Sequence, residues 1–411
     1  ASHFWAKNQK LDLFSDRFKS AKAIENFSNK EEADRFLSFC NLSSKVFQTL
    51  EPGFINGQRP KITQSAELLG LPGIKLLSSI GPFRSFWHSL AKQFKDPRLQ
   101  QLFARYSTYV GSSPWSAPAT LMLIPHVEMS GVWTINGGMI ELTRAMMRLC
   151  KKLGVRIHKN YCEEILTYKG HVSGVRLEDG NSFLAENIIF NGDINAIANG
   201  LLGFKVKKAS KKINSSKRSL SALTWVVESQ TDGLKLSRHN VFFNKNYQEE
   251  FTDIFKKQQL PVRPTVYLCA QDRERVDFSV KDRPERLFIL VNAPAVGDNS
   301  KITEMEYKKC QSSVVSLLNK CGLSIEVPPK FWIQKTPVDF HHRYPSTGGS
   351  LYGSKTHGWL TPFQRQASRS KIPGLYLSGG SIHPGPGIPM ATISGRLAAE
   401  ALMEDLGLTN Q

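Results

Sequence analysis

The sequence is short of several things that would have fixed its class at once. Its six cysteines, Cys40, Cys150, Cys162, Cys269, Cys310 and Cys321, lie far apart, with no CxxC pair and no secretory leader before them. That excludes a disulfide scaffold and a structural zinc ribbon, and the expectation is a reduced, intracellular setting. No run of 18 or more apolar residues occurs, which excludes a conventional spanning helix but leaves attachment to a membrane surface open. Internal repeats and low-complexity tracts are also missing. Acidic residues are scarce against basic ones, 35 to 54, leaving a formal charge of +19. An excess of that size favours an anionic partner, either nucleic acid or an acidic membrane. The basic residues are dispersed apart from runs at 205–208 and 211–218, and neither zinc-finger spacing nor an RNA-binding signature accompanies them. Nucleic acid is therefore set aside and the membrane surface retained.

What is present is a chain of 411 residues, 40% hydrophobic, long enough for a large core and for two interleaved domains. Residue 1 is Ala, and residues 1–13 read as a strand-turn-strand, so the expectation is a chain cut from something longer. Apolar residues at three- and four-residue steps predict two helices over 21–50, the second opening at Asn29 with Glu31 and Glu32 behind it. Residues 66–94 are rich in Leu, Ile, Phe and Trp, and Pro72-Gly73 and Gly81-Pro82 should break them into short helices, in the core or at a bilayer interface. Over 131–193 the pattern predicts a glycine turn at 137–138, a helix, a strand at Val155–Ile157, strands at 164–168 and 171–177, a hairpin turn at Glu178-Asp-Gly180, and a strand at 185–190. Runs at 223–227, 240–243, 265–270 and 287–291 predict one mixed sheet. A helix over 302–321, an extended segment over 325–336, a strand at 375–378 and a helix over 389–406 close the chain.

The most specific signal is the string Gly374-Leu-Tyr-Leu-Ser-Gly-Gly-Ser-Ile-His-Pro-Gly-Pro-Gly-Ile-Pro-Met-Ala-Thr-Ile-Ser-Gly-Arg-Leu-Ala-Ala-Glu400. Its glycines let backbone approach a ligand closely, and a helix starting near Pro389 turns free N–H groups and a positive dipole end toward them. Electron-rich ligand atoms are favoured there. Ser394-Gly395 and Ala398-Ala399 keep one helix face small for tight packing.

This string resembles the C-terminal flavin motif of the phytoene desaturase family, within the amine-oxidase-like flavoproteins, and residues 131–193 resemble that family's second flavin-contacting segment. The likeness runs over essentially the whole chain. It is strongest to the bacterial hydroxycarotenoid 3,4-desaturases, through His3-Phe-Trp5, Leu11-Asp-Leu-Phe14, His239-Asn-Val-Phe-Phe243, Pro264-Thr-Val-Tyr-Leu-Cys-Ala-Gln-Asp-Arg273 and His383-Pro-Gly-Pro-Gly-Ile-Pro-Met390. The resemblance implies an α/β fold of mixed α+β content: an FAD-binding, Rossmann-like domain of amine-oxidase type, N-terminally incomplete, with a mixed-sheet substrate domain and a helical insert. It implies four segments: a helical, substrate and membrane-facing one (1–130), the middle (131–200) and C-terminal (346–411) parts of the FAD domain, and a substrate domain (201–345).

The resemblance also implies roles for individual residues. Gly379 and Gly380, with Ser381, would sit by the ribityl and phosphate portion of FAD. Gly387, Ile388, Pro389 and Met390 would face the pyrimidine edge of the ring and stabilise its reduced form. Gly137, Gly138 and Met139 would form a turn beside the ring, and Cys162 falls where an adenine contact is expected. Some relatives carry an acidic residue where this chain has Gly380. No G-x-G-x-x-G between strand and helix, and no acidic residue about 20 positions later, is found.

The implied reaction removes two hydrogens from neighbouring carbons of an acyclic 1-hydroxy or 1-methoxy carotenoid, making a C3–C4 double bond. For proton handling or cation stabilisation the candidates are His383 and Arg84, then His126, Glu128 and His342. The implied setting is cytoplasmic and peripheral on the inner membrane, since a forty-carbon polyene must be drawn from lipid, with other carotenoid-pathway enzymes as possible partners. No metal is expected. Three alternatives stay open: a phytoene desaturase or isomerase, another amine-oxidase-fold enzyme, and a non-catalytic remnant or assembly partner.

Overall fold

The structure is a computed structural model that describes residues 1–6, 9–81, 83–273, 283–299, 302–358 and 361–408. Its centre is a seven-stranded sheet. The strands are β1 (Ser2–Trp5), β2 (Gln9–Asp12), β3 (Cys162–Tyr168), β4 (His171–Leu177), β5 (Ser182–Leu184), β6 (Ile188–Phe190), β7 (Ser221–Ser229), β8 (Thr231–Gly233), β9 (His239–Phe242), β10 (Val266–Ala270), β11 (Glu285–Ala293), β12 (Leu323–Ile325), β13 (Ile333–Lys335) and β14 (Leu375–Leu377). The large sheet runs β13-β7-β11-β10-β9-β1-β2. It is antiparallel except where β1 lies parallel to β9, with Phe4 opposite Phe242. It is mixed, as the β-branched and aromatic runs predict, and it recruits residues 2–12 as well as 221–335.

Period-two alternation sends successive side chains to opposite faces. Phe4, Trp225, Phe242, Val266 and Leu268 pack with Val314, Leu317 and Leu318 of the helix Glu304–Lys320. On the other face Trp5, Val241 and Phe243 pack with Phe36, Phe39, Phe94 and Phe103 of the N-terminal helices, and the half-buried Tyr267 lies against them. The Phe4 and Phe242 rings stack at 4.8 Å, which adds about 1 kcal/mol beyond the area they bury. Trp225, fully buried, satisfies its indole N–H on Gln334 at 2.9 Å.

The N-terminal helices form where the apolar spacing puts them, at Arg17–Phe27 and Lys30–Leu50, with the Asn29 side chain accepting from the Glu32 N–H. Such caps contribute about 1 kcal/mol. A helix then spans Ile62–Ile80 and bends at Gly70 (φ 59°), so the break falls before Pro72 rather than at Pro72-Gly73. Gly81 ends it in the left-handed region; Pro82 lies outside the described residues. The next helix is Phe86–Gln93.

A smaller unit carries the antiparallel β3-β4-β5 sheet and the parallel pair β6 and β14. Its core joins Ile165, Val172, Ile194, Ile197, Leu375, Leu377 and Ile382. The strand expected at Val155–Ile157 does not form. That segment has no ladder partner among the described residues, and both apolar side chains are exposed. Extended backbone without a neighbour has nowhere to place its N–H and C=O groups except in solvent. The expected 185–190 strand shortens to β6, and of the expected 325–336 extended segment only Ile325, the last residue of β12, and β13 are strand, with a 3-10 turn at Pro329–Phe331 between them.

Candidate active site

The glycine string is built as strand, loop and helix. β14 aligns with β6 in the register Leu375–Ile188, Tyr376–Ile189 and Leu377–Phe190, and the chain then turns through 378–387 into the helix Ile388–Asp405. Gly379 (φ 117°) and Gly387 (φ 103°) hold backbone conformations that a side chain would strain. The Gly379 N–H donates to Ser394 Oγ at 3.0 Å, so the small face of the helix receives the start of the loop. The helix has Pro389 in its first turn, and its first internal bond runs from the Ala391 N–H to the Gly387 carbonyl at 2.8 Å. The Ile388 and Met390 N–H groups precede that bond and form the positive end of an 18-residue helix.

Three side chains fix the loop. Ser381 donates to Asp193 at 2.5 Å, and Asp193 also caps the helix Ile194–Asn199 that follows β6. Arg365, buried, donates to the carbonyls of Gly380 (3.0 Å), Tyr352 (3.2 Å) and Ser354 (3.1 Å). Burial lowers its guanidinium to about 10, still charged at neutral pH. His383 reaches the Gly57 carbonyl through Nε2 at 3.1 Å. A carbonyl only accepts, so Nε2 carries the hydrogen; burial pushes the imidazole down to about 4, leaving Nδ1 a bare lone pair. That nitrogen is buried and has no partner among the described residues. From the other side, Gln58 Nε2 donates to the Leu397 carbonyl (2.8 Å) and Arg396 to the Asn56 carbonyl (2.7 Å), clasping residues 56–58 to the closing helix.

The residues fit a flavin. A Cβ added at Gly380 would meet only Pro386 Cα, at 3.6 Å, and one at Gly387 would meet nothing within 4 Å. Open space therefore borders the loop at Gly380 and at the helix start, where the free N–H groups lie, while the orphaned His383 nitrogen is buried in the loop itself. Gly380 itself needs no special φ, so the missing acidic side chain leaves room rather than strain.

The other expected positions belong to other elements. Gly137 (φ 81°) and Gly138 (φ 89°) make the turn foreseen, with the Gly138 N–H on the Ile135 carbonyl at 2.8 Å, and Met139 is exposed after it. The helix Ile140–Lys152 forms, but none of its residues is buried. Cys162 is exposed at the start of β3, its thiol pushed up by partial burial. Among the described residues no hydrogen bond joins residues 137–139 or Cys162 to the 379–390 loop. Arg84 is exposed in the turn before Phe86–Gln93, where its backbone bonds Gly81 and Ala119. His342 is exposed on the helix Pro337–Arg343, and the backbone N–H of His126 donates to Ser43. Glu128 instead accepts from Tyr106 (2.5 Å) and Tyr109 (3.1 Å). Arg365 was not foreseen: an arginine in a loop-rich stretch carries no periodic signal, and only its three backbone partners reveal its task.

Among the described residues no group of three or more His, Cys, Asp or Glu could hold a metal ion. No described helix is long and apolar enough to cross a membrane.

Residues 84–403 match the family model for flavin containing amine oxidoreductases. The chain is 48% identical over 413 residues to a hydroxyneurosporene desaturase of Rubrivivax gelatinosus, covering 100% of this chain and 78% of that one. A 1-hydroxycarotenoid 3,4-desaturase of Flavobacterium sp. is 32% identical over 76% of this chain and 63% of its own length. Among solved structures, a redesigned putrescine oxidase superposes with a TM-score of 0.56 over 99% of this chain and 81% of its own, at 9% identity, a likeness of fold alone. With a glycine loop feeding a helix N-terminus, a mixed sheet and relatives of this extent, the chain belongs to the flavin containing amine oxidoreductases, in their phytoene desaturase-type group of carotenoid desaturases.

Proposed function

We propose that this oxidoreductase desaturates the C3–C4 bond of an acyclic carotenoid with a 1-hydroxy or 1-methoxy end, using FAD as its flavin. The observation that carries the reading is the loop 378–387, whose open glycines and free helix N–H groups are linked to an aromatic region through residues 352–353: a Cβ on Gly353 would sit 2.8 Å from Ser381 Oγ, and a Cβ on Gly111, the residue that ends the run Arg105–Val110, would sit 2.8 Å from the Tyr352 ring. A flavin, when bound, supplies the two-electron acceptor for the hydrogens removed. The chain holds it and shapes its surroundings. The Ile388 and Met390 N–H groups favour negative charge at the ring edge, and Arg365 ties the Gly380 carbonyl of the loop to residues 352–354. His383, neutral with Nδ1 bare, accepts a hydrogen bond or a proton at that atom and donates none. Gly137, Gly138, Met139 and Cys162 are proposed as further contacts, and the divisions at residues 130, 200 and 345 as domain limits.

The test is incubation of the flavin-loaded enzyme with a 1-hydroxy acyclic carotenoid and an electron acceptor. The expected product is two hydrogens lighter with one more conjugated double bond, at C3–C4. Conversion of phytoene instead, or no conversion, defeats the reading.

Peripheral attachment to the inner membrane is part of the same reading. Leu71, Phe83 and Phe204 are each more than three-quarters exposed, and Lys205 and Lys207 flank Phe204. Apolar side chains beside cations suit an anionic leaflet, at about 1 kcal/mol for each Lys or Arg near it. Co-sedimentation with vesicles containing anionic lipid is expected, falling as salt rises. Equal sedimentation with and without anionic lipid removes the attachment.

A further inference from the structure

A polar cluster lies at the edge of the aromatic layer that packs on β9 and β10, and the flavin loop does not use it. Arg105 leads the 3-10 run Arg105–Val110. Its guanidinium lies over the rings of Tyr109 (5.7 Å) and Tyr267 (5.4 Å), and its one hydrogen bond among the described residues, to Tyr109 Oη, is long at 3.4 Å. Tyr109 passes its own hydrogen to Glu128, which also takes that of Tyr106. The carboxylate is thus satisfied by two phenols, and the arginine keeps most of its five donors free. A second observation is independent. Tyr247 is 5% exposed, yet its hydroxyl has no partner among the described residues. Burial pushes that phenol well up, with Glu250 behind it and Arg105 opposing, so it stays protonated and remains a donor. Around it lie Trp115 (5.8 Å), Phe251 (5.1 Å) and Phe243 (6.3 Å). A buried donor without an acceptor, such as the Tyr247 hydroxyl, is costly in an apolar wall. The natural complement of this phenol and of the half-buried Arg105 is an oxygen carried in on an otherwise apolar molecule.

We infer that Arg105 and Tyr247 recognise the terminal oxygen of the substrate, a hydroxyl or a methyl ether, and so select oxygenated polyenes over hydrocarbon ones. The inference rests on the desaturase reading above. Both groups donate, and hydroxyl and ether oxygens both accept, so one site takes either end group and rejects a chain end that offers no lone pair. Position agrees with chemistry. An oxygen on C1 lies within roughly 5 Å of C3 at about 1.5 Å per bond, so its receptor must adjoin the flavin loop. A relay of contacts joins the two: a Cβ on Gly111, which ends the Arg105 run, would be 2.8 Å from the Tyr352 ring, and the Tyr352 carbonyl shares Arg365 with the Gly380 carbonyl. His239, from one of the sequence motifs noted above, meets Tyr267 Oη at 2.8 Å through Nδ1 and orients that side of the cluster.

The test compares kcat/KM for a 1-hydroxy acyclic carotenoid with that for the same carbon skeleton lacking the hydroxyl. Relative to the wild type, Tyr247→Phe is expected to lower that ratio about tenfold and Arg105→Leu about a hundredfold, the factors a neutral and a charge-assisted hydrogen bond carry. Arg105→Lys should fall between them. Bound-flavin absorbance certifies each variant as folded; where Arg105→Leu fails to load, Tyr247→Phe, which removes one oxygen only, decides. Ratios within twofold of wild type in flavin-loaded variants overturn the inference while the desaturase reading stands. A wild type that leaves the hydroxylated substrate unchanged overturns both.

Discussion

Replacing Arg365 by Met is expected to abolish flavin retention and to lower the melting temperature by roughly 3–10 °C, at about 1 °C for each kcal/mol in a chain of this length. The side chain is 4% exposed and ties the carbonyls of Gly380, Tyr352 and Ser354 together. Methionine fills much of the same volume but donates nothing, so three carbonyls lose their partner, at about 1–3 kcal/mol for each one left buried and unsatisfied. Lysine keeps the charge but brings a single ammonium on a flexible stem, which cannot span both sides of the loop as the planar guanidinium does. Arg365→Lys should therefore recover part of the stability and little of the flavin. The visible absorbance per mole of purified protein and a thermal melt read the two effects separately. Full flavin loading in Arg365→Met would mean that the loop holds its shape without this residue.

Acid should destabilise the protein well before its carboxylates titrate. Burial lowers His383 and His357 to about 4 and His3 to about 3, against 6.5 for an exposed imidazole. Their folded-state values are depressed, so below pH 6.5 the unfolded chain binds protons that the folded chain refuses. The stability present above pH 6.5 is lost as the pH falls toward 4, by about 3 kcal/mol for each of His383 and His357 at 1.4 kcal/mol per unit. His357 also accepts the Ser113 N–H at Nε2 (3.2 Å), a bond its protonation would break. Together these losses rival the whole stability of an ordinary domain. Urea midpoints should change little between pH 7.5 and 6.5 and fall from there to pH 5, and His383→Gln with His357→Gln should flatten that slope. A midpoint independent of pH over that range would show that these imidazoles are hydrated in the folded protein.

Much of the architecture could be read from local chemistry. Asn29 before Glu31 and Glu32 starts a helix because its side-chain oxygen can meet a free N–H, and it does. The apolar runs that became β7, β9, β10 and β11 were recognisable because β-branched and aromatic side chains suit a pleated, half-buried surface. The glycine string before Pro389 gave a loop and a helix start because few other sequences permit the backbone angles found at Gly379 and Gly387. These features depend on neighbours a few residues away, and such signals survive in a linear pattern.

Other features depended on partners that no spacing reveals. The apolar run at Val155–Ile157 looks like a strand, yet a strand exists only if another lies beside it to take its hydrogen bonds. Residues 2–12 join a sheet whose remaining strands begin more than 200 residues later. Among the proposed acid–base groups, the glycine motif put His383 first, but that His383 is buried in the glycine loop while Arg84 lies exposed in a turn is not written in the sequence. Arg365, Arg105 and Tyr247 had no local signature. The sequence by itself determined the strands, helices, glycine loop and family likeness, because each follows from short-range propensity or from an ordered motif. The tertiary structure alone decided which polar groups are buried, which find partners and which are left to meet a ligand, because burial and pairing are set by distant segments brought together.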